Sequence, residues 1–191
     1  MFVCQGRVMP GPAFVVAVLG AECTGKSTLV RQMHAALLAQ GMDCAMVPEE
    51  LRAFCARIGR TPTAAEQAAI ADAQTAAIGQ AALRHAVVIA DTTALMTAVY
   101  SEQVFGDTSL TAPALQAHQA AGVTLLTAAD LPWHGDGHQR DGPAARQAVD
   151  RLLRRVLDQS GTPYAVVTGA GAARLRAALA ALQRALAAPR T

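Results

Sequence analysis

One stretch constrains this chain more than any other: Phe14 to Thr28, which reads FVVAVLGAECTGKST. Apolar, β-leaning residues from Phe14 to Leu19 run into a turn that opens on Gly20 and closes on Gly25-Lys26-Ser27. Leu29, Val30, Met33, Ala36 and Leu37 then repeat at helical spacing. Strand, glycine-rich turn and helix follow one another, with the pattern G-x-x-x-x-G-K-[ST] in the turn. That spacing suits a polyphosphate. The glycines at the two ends let the backbone wrap closely enough for its N–H groups to point inward, and the helix start adds unsatisfied N–H groups and a positive dipole end. On this reading Gly20, Glu22, Cys23, Thr24, Gly25, Lys26, Ser27 and Thr28 cradle the phosphates of ATP. Lys26 reaches the β- and γ-phosphates, the Ser27 hydroxyl takes a place on Mg2+, and Thr28 donates to the α-phosphate.

A glycine turn with a coincidental lysine is the plain alternative. Against it stands the composition: Lys26 is the only lysine in the chain, every other basic residue apart from histidine being arginine. A compact ammonium fits among phosphate oxygens in a way a planar guanidinium does not. The same count removes the guanine-reading switch proteins, whose Asn-Lys-x-Asp motif needs a second lysine.

At 191 residues the chain has the length of one α/β domain with a core that needs no staples. Residues 1 to 12, with two prolines and two glycines, read as a flexible lead-in, and 13 to 188 as a single domain. A net charge of +2 gives no footprint for nucleic acid. No apolar run is long enough for a membrane span and the N-terminus lacks a leader pattern, so the expected place is the cytoplasm and the expected partner a small molecule. Cys4, Cys23, Cys44 and Cys55 show no paired spacing. The oligomeric state is left open by the sequence.

Periodicity alternates strand and helix along the chain. Strands are expected at 14–19, 44–47, 86–91, 123–126 and 164–167; helices at about 26–40, 63–85, 93–105, 114–121, 144–159 and 171–187. Thr63 and Glu66 stand at capping-box spacing. The expected fold is therefore a P-loop domain with a five-stranded parallel sheet and helices on both faces.

Three further groups carry chemistry. The strand AVVIAD ends in Asp91, an acid placed to reach Mg2+ or an incoming hydroxyl; the bland reading is a helix cap, which Thr92 and Thr93 could also supply. Thr92, where motor-type ATPases carry a water-activating Glu, favours transfer to a bound alcohol over hydrolysis. Glu49 and Arg52 follow the second strand, at the edge where open parallel sheets bind ligands, though a helix-start acid with a surface arginine would look the same. The segment DLPWHGDGHQRDGP, about 130 to 145, reads as a lid over phosphates, with Arg140 and Arg146 as its cations, or else as an ordinary surface loop. Its sole tryptophan, Trp133, either packs under the lid or stacks on a planar ligand. His134, Asp136 and His138 have ligand chemistry, but the glycines between them preorganise no metal site. Thr168 to Gly171 is a candidate edge of the adenine pocket.

Taken together, GAECTGKSTL, Glu49-x-x-Arg52-x-Phe54, Asp91-Thr92-Thr93 and DLPWHGDGHQRD with Arg146 beyond it resemble the ribosylnicotinamide kinase domain of the bacterial bifunctional NAD-biosynthesis regulator and its stand-alone relatives. The resemblance runs over about residues 13 to 185. The Trp-x-x-Asp-Gly segment is its distinctive part, since the phosphate loop is shared by many families. It implies an adenylate-kinase-like AAA-type P-loop fold with a lid, and transfer of the ATP γ-phosphoryl group to the ribose 5′-hydroxyl of nicotinamide riboside. By the same resemblance Asp91 faces the acceptor hydroxyl, Glu49 and Arg52 line the substrate side, Trp133 and Asp136 hold the riboside, and Arg140 and Arg146 serve as lid arginines. Two residues, His138 and Gln139, separate Gly137 from Arg140 where family members commonly have one. The resemblance does not extend to the regulator's adenylyltransferase and DNA-binding portions and implies neither activity. A kinase for another nucleoside or metabolite, or a nucleotide-dependent regulatory module, are the other readings of the same residues.

Overall fold

The computed structural model describes residues 12–133 and 142–188. Five strands, β1 (Phe14–Leu19), β2 (Cys44–Val47), β3 (Val87–Asp91), β4 (Ala121–Thr127) and β5 (Ala165–Val167), pair in the order β2-β3-β1-β4-β5, every pair parallel. Seven helices connect them among the described residues: α1 (Lys26–Ala39), α2 (Glu50–Ile58), α3 (Ala64–Ala82), α4 (Ala94–Phe105), α5 (Thr111–His118), α6 (Pro143–Gln159) and α7 (Gly171–Ala187).

The central strand explains the layering. β1 is buried along its whole length, and successive side chains point to opposite faces. Phe14, Val16 and Val18 pack with Leu29, Val30, Met33 and Leu37 of α1 and with Ala178, Ala181 and Leu182 of α7. On the other face Leu19 joins α4 and α6 through Leu95, Met96, Leu153 and Leu157, while Val15 meets Ala81 of α3. The sheet is thus covered on both sides, as the alternation of elements predicts.

Several boundaries differ from the sequence reading. α5 starts at Thr111 rather than 114, because Pro113 falls in its first turn, where a missing N–H removes no helical bond. β4 starts at Ala121 and takes in Gly122, which periodicity places ahead of the strand. The Phe14 ring lies where a side chain at 122 would be, the nearest ring atom 2.6 Å from an added Cβ, so this glycine makes room for a neighbour. A helix α2, of which the sequence reading offers only a start near Glu49 and no extent, occupies Glu50–Ile58 and ends on Gly59 at φ 76°.

All five strands point the same way, so the segments after their carboxyl ends share one edge of the sheet. The phosphate loop follows β1, Glu49 follows β2, Asp91 closes β3, Asp130 follows β4 and Gly169 follows β5. β1 sits between β3 and β4, where connections leave to opposite sides and a crevice opens.

Candidate functional site

The phosphate loop is held by its own chain. Gly20, at φ 148°, lies so close to β4 that an added Cβ would stand 2.1 Å from Thr127 Oγ1. The Thr127 hydroxyl donates to Leu19 O at 3.0 Å and meets Thr24 Oγ1 at 2.8 Å; the Thr24 hydroxyl in turn donates to Ala21 O at 2.7 Å. Gly25 caps α1 in the left-handed region at φ 77°. Lys26, buried in the first turn of α1, donates from Nζ to Ala21 O at 2.8 Å. Ser27 is half-buried in the same turn and Thr28 is exposed beside it. Among the described residues, the non-glycine residues with positive φ are Cys23 at 55° and Thr92 at 75°, one in this loop and one directly after Asp91. Backbone held in sparsely populated regions clusters where geometry serves a ligand.

A residue that sequence analysis passes over fixes the loop from behind. Arg174, in the first turns of α7 and buried, donates to Thr24 O at 2.8 Å, to Ala128 O at 2.9 Å and to Gly169 O, and pairs with Asp130 at 2.7 Å. Asp130 also accepts from Gly169 N at 2.7 Å. Partial burial works against the Asp130 charge, but the bonds from Arg174 and Gly169 outweigh it and hold the carboxyl below its ordinary range. No local signal separates Arg174 from Arg176 or Arg184 on the same helix; the tertiary fold alone decides which of them is buried.

Asp91 faces Val18 across the β1–β3 pairing, one strand away from the loop's first residues. It is buried, and its Oδ1 has no hydrogen-bond partner within the protein. The next residue, Thr92, donates its N–H to Val18 O at 3.1 Å, and Thr93 caps α4 by accepting from Leu95 N at 3.3 Å. Thr93, not Asp91, therefore supplies the cap, and the acid's side chain is left for other work.

A cavity of about 740 Å3 adjoins the loop. Glu22 and Lys26 line it from the loop, Glu49 and Arg52 from the β2–α2 turn, and Gln67 and Tyr100 from α3 and α4. Tyr100 donates to Glu22 Oε2 at 3.2 Å; burial first, and then the Glu22 and Glu49 carboxylates, push its phenol well above its ordinary value. Arg52 pairs with Glu49 at 3.3 Å. The turn carrying Glu49 is pinned by buried Gln74 of α3, which accepts from Glu50 N at 2.8 Å and donates to Pro48 O at 3.3 Å. In an alanine-rich helix Gln74 looks like a surface residue, and the sequence offers no sign of this task. The structure thus brings Glu22, Lys26, Glu49 and Arg52 to one cavity.

Arg146 is buried in the first turn of α6 and donates to Leu131 O at 2.8 Å; its Nε finds no partner within the protein. Trp133 is half-buried, and its Nε1 is likewise unpartnered. The expected roles of Asp136 and Arg140, the histidines beside them and the body of the lid lie outside the described residues.

The residues fit magnesium. That ion keeps water and phosphate oxygens in its shell and asks little of the protein. Ser27 offers a hydroxyl at the helix start and Asp91 a buried carboxylate oxygen with no protein partner. Among the described residues no three His, Cys, Asp or Glu side chains converge as a metal cage. No described helix is long and apolar enough to cross a membrane.

Comparison with known proteins agrees with the fold. No curated protein sequence matches the chain. Among solved structures, the crystal structure of NadR protein in complex with NAD and AMP-PNP superposes with a TM-score of 0.72 at 18% identity, over 94% of this chain and 51% of that one. The crystal structure of NadR protein in complex with NR gives a TM-score of 0.72 at 20% identity, with the same coverage of 94% and 51%. The chain therefore spans about half the length of these structures, and at this identity the likeness is one of fold. Residues 15–174, from β1 through the phosphate loop, the sheet edge and Arg174, match the AAA domain family, and the chain belongs to that family.

Proposed function

We propose that this chain is an ATP-dependent small-molecule kinase, and that its acceptor is the ribose 5′-hydroxyl of nicotinamide riboside, giving nicotinamide mononucleotide. One observation carries the reading: Lys26 and Glu22 of the phosphate loop open directly onto a nucleoside-sized cavity whose other walls carry Glu49, Arg52 and Tyr100. A site for polyphosphate and a site for a second small molecule meet there. NadR, which shares the fold, has been crystallised with AMP-PNP and with NR, and this supports both halves. The acidic groups in the wall suit a cationic ring: Glu49 is paired with Arg52, whereas Glu22 accepts from the Tyr100 phenol and pairs with no cation among the described residues.

In this reading the loop N–H groups and Lys26 hold the β- and γ-phosphates, Thr28 the α-phosphate. Asp91 faces the acceptor hydroxyl and accepts its proton as that oxygen attacks the γ-phosphorus. The bond from γ-phosphorus to the β–γ bridging oxygen then breaks and ADP leaves. Ser27 and Asp91 would hold magnesium, which would supply charge neutralisation to the phosphates. Trp133 and Asp136 position the riboside, Glu49 and Arg52 line its side of the cavity, and Arg140 and Arg146 neutralise the transferred group.

The test is acceptor-dependent release of ADP. With ATP and magnesium the purified chain is expected to form ADP only when a nucleoside is added, with nicotinamide riboside the strongest of a panel. Equal stimulation by uridine or adenosine would replace the named acceptor, and stimulation only by a protein would replace the kinase reading with a regulatory one.

A further inference from the structure

We infer that Arg174 is a positioning residue for nucleotide binding: it ties the phosphate loop to Ala128 and Asp130 at the exit of β4 and to the loop after β5, so that these residues hold one geometry. The inference rests on the proposed binding of ATP at the loop, and on nothing about the acceptor. Its basis is the set of groups one guanidinium reaches. Nη2 bonds Thr24 O, in the phosphate loop, at 2.8 Å and Ala128 O, at the exit of β4, at 2.9 Å. Nη1 bonds Asp130 Oδ1 at 2.7 Å and Gly169 O. These partners come from three separate connections at the carboxyl edge of the sheet, and the contact to Thr24 spans 150 positions in sequence.

Chemistry explains why arginine stands here. The Thr24, Ala128 and Gly169 carbonyls lie in turns outside the helices and strands, and a buried carbonyl left alone is costly. A planar fork with five donors reaches several such oxygens at once, which an ammonium on a flexible stem does not. Asp130 balances the charge and, by accepting from Gly169 N, closes the ring of contacts on the β5 side. The Arg174 side chain is only 4% exposed, so a ligand in the cavity does not meet it. Its influence on the phosphates passes through Thr24, whose hydroxyl is itself tied to Ala21 and Thr127, and through the next residue, Gly25, whose backbone opens α1 at Lys26.

Leu131, next to Asp130, receives the Arg146 bond and touches the loop: an added Cβ at Gly25 would stand 3.0 Å from Leu131 Cδ1. Two arginines, from α7 and α6, thus fix the start of the segment that follows β4 against the phosphate loop. Arg174 does so from behind, without lining the cavity.

The experiment compares wild type with Arg174→Met, Arg174→Lys and Asp130→Asn. The readouts are melting temperature, affinity for a non-hydrolysable ATP analogue with magnesium, and KM for ATP against KM for the acceptor. Arg174→Met is expected to weaken the analogue about tenfold or more while the acceptor KM moves less than about twofold. Arg174→Lys is expected to recover part of that loss, and Asp130→Asn to cost about threefold. A merely structural role lowers the melting temperature of Arg174→Met but leaves the analogue affinity of the folded fraction within about twofold of wild type, and that result overturns the inference. If Arg174→Met does not fold, unchanged analogue affinity in both Arg174→Lys and Asp130→Asn overturns it instead. Failure of the wild-type chain to bind the analogue overturns the nucleotide reading itself, and this proposal with it.

Discussion

The two halves of the site are built on opposite plans. Around the phosphate loop most polar groups answer one another within the chain: Thr24, Thr127, Ala21, Leu19, Lys26 and Arg174 form one hydrogen-bonded set, in which Arg174 Nε alone is a buried side-chain atom without a protein partner. On the proposed acceptor side, and along the edge that leads to it, more of the buried polar atoms lack protein partners: Asp91 Oδ1, Gln67 Oε1, Trp133 Nε1 and Arg146 Nε. A self-satisfied loop has its shape before any ligand arrives and owes that shape to the fold. Unanswered buried groups cost stability and are kept where chemistry or recognition needs them. The loop should therefore respond to substitution through stability and nucleotide affinity together, and the acceptor side through turnover or acceptor affinity alone.

The largest effect is expected at Asp91. Asp91→Asn keeps the shape and removes the proposed base and the anionic oxygen, so phosphoryl transfer should fall about a thousandfold while affinity for an ATP analogue stays within about twofold. Rapid-quench measurement of transfer beside calorimetric titration of the analogue separates the two. A variant that keeps more than about a tenth of the rate removes Asp91 from the chemistry.

Gly20→Ala tests the other plan. Its Cβ would be driven into Thr127 Oγ1, at 2.1 Å, and against Thr127 O, at 3.0 Å, so Thr127 must give up its bonds to Leu19 and Thr24. A loss of about 3 kcal/mol in denaturant-induced unfolding is expected, with analogue affinity falling in the same variant. Unchanged stability with lost affinity would place the strain in the ligand contacts and break the contrast between the halves.

His118 extends the self-satisfied plan to the back of the β3–α4 turn. It is buried, with Nδ1 at 3.0 Å from Thr93 Oγ1 and Nε2 at 2.8 Å from Thr124 Oγ1. Burial lowers its pKa from 6.5 to about 4. The unfolded chain therefore takes up a proton below pH 6.5 that the folded chain refuses until about pH 4, so stability is full above 6.5 and is lost as pH falls through that window. Between pH 7 and 5 the loss should be on the order of 2 kcal/mol, and His118→Gln should flatten it. An equally steep decline in the variant assigns the pH dependence to other groups.

The halves also differ in how far the sequence discloses them. The loop, the strand ending in Asp91 and the turn with Glu49 are local patterns: each needs its residue types at fixed offsets, so periodicity and spacing are enough to find them. The parallel sheet follows from the alternation of strand and helix, but its order does not, because β1 pairs with β3 and β4 across long connections that no local preference encodes. Arg174, Gln74 and Thr127 act by meeting partners 150, 24 and 108 positions away, respectively, and nothing in their neighbourhoods marks them. Gly122 reads as a turn because glycine ends strands more often than it makes room for a ring; here Phe14 claims the space. The supports of the site are thus the part least written in local sequence.

Trp133 gives the smallest and sharpest test of the contrast. It follows the Leu131 carbonyl that Arg146 holds, and its half-buried ring carries an indole N–H with no protein partner. Packing under a lid and stacking on a planar acceptor make different demands of the same ring. If it stacks, Trp133→Ala should raise the acceptor KM about tenfold and leave the ATP KM within about twofold, and Trp133→Phe should restore most of the loss, since a smaller ring still offers a face. If it only packs, both constants should rise together, and Phe should restore them together. Steady-state kinetics with each substrate varied in turn decides between these outcomes. Equal losses for ATP and acceptor would move Trp133 out of the acceptor half and into the set of contacts that hold the phosphate loop.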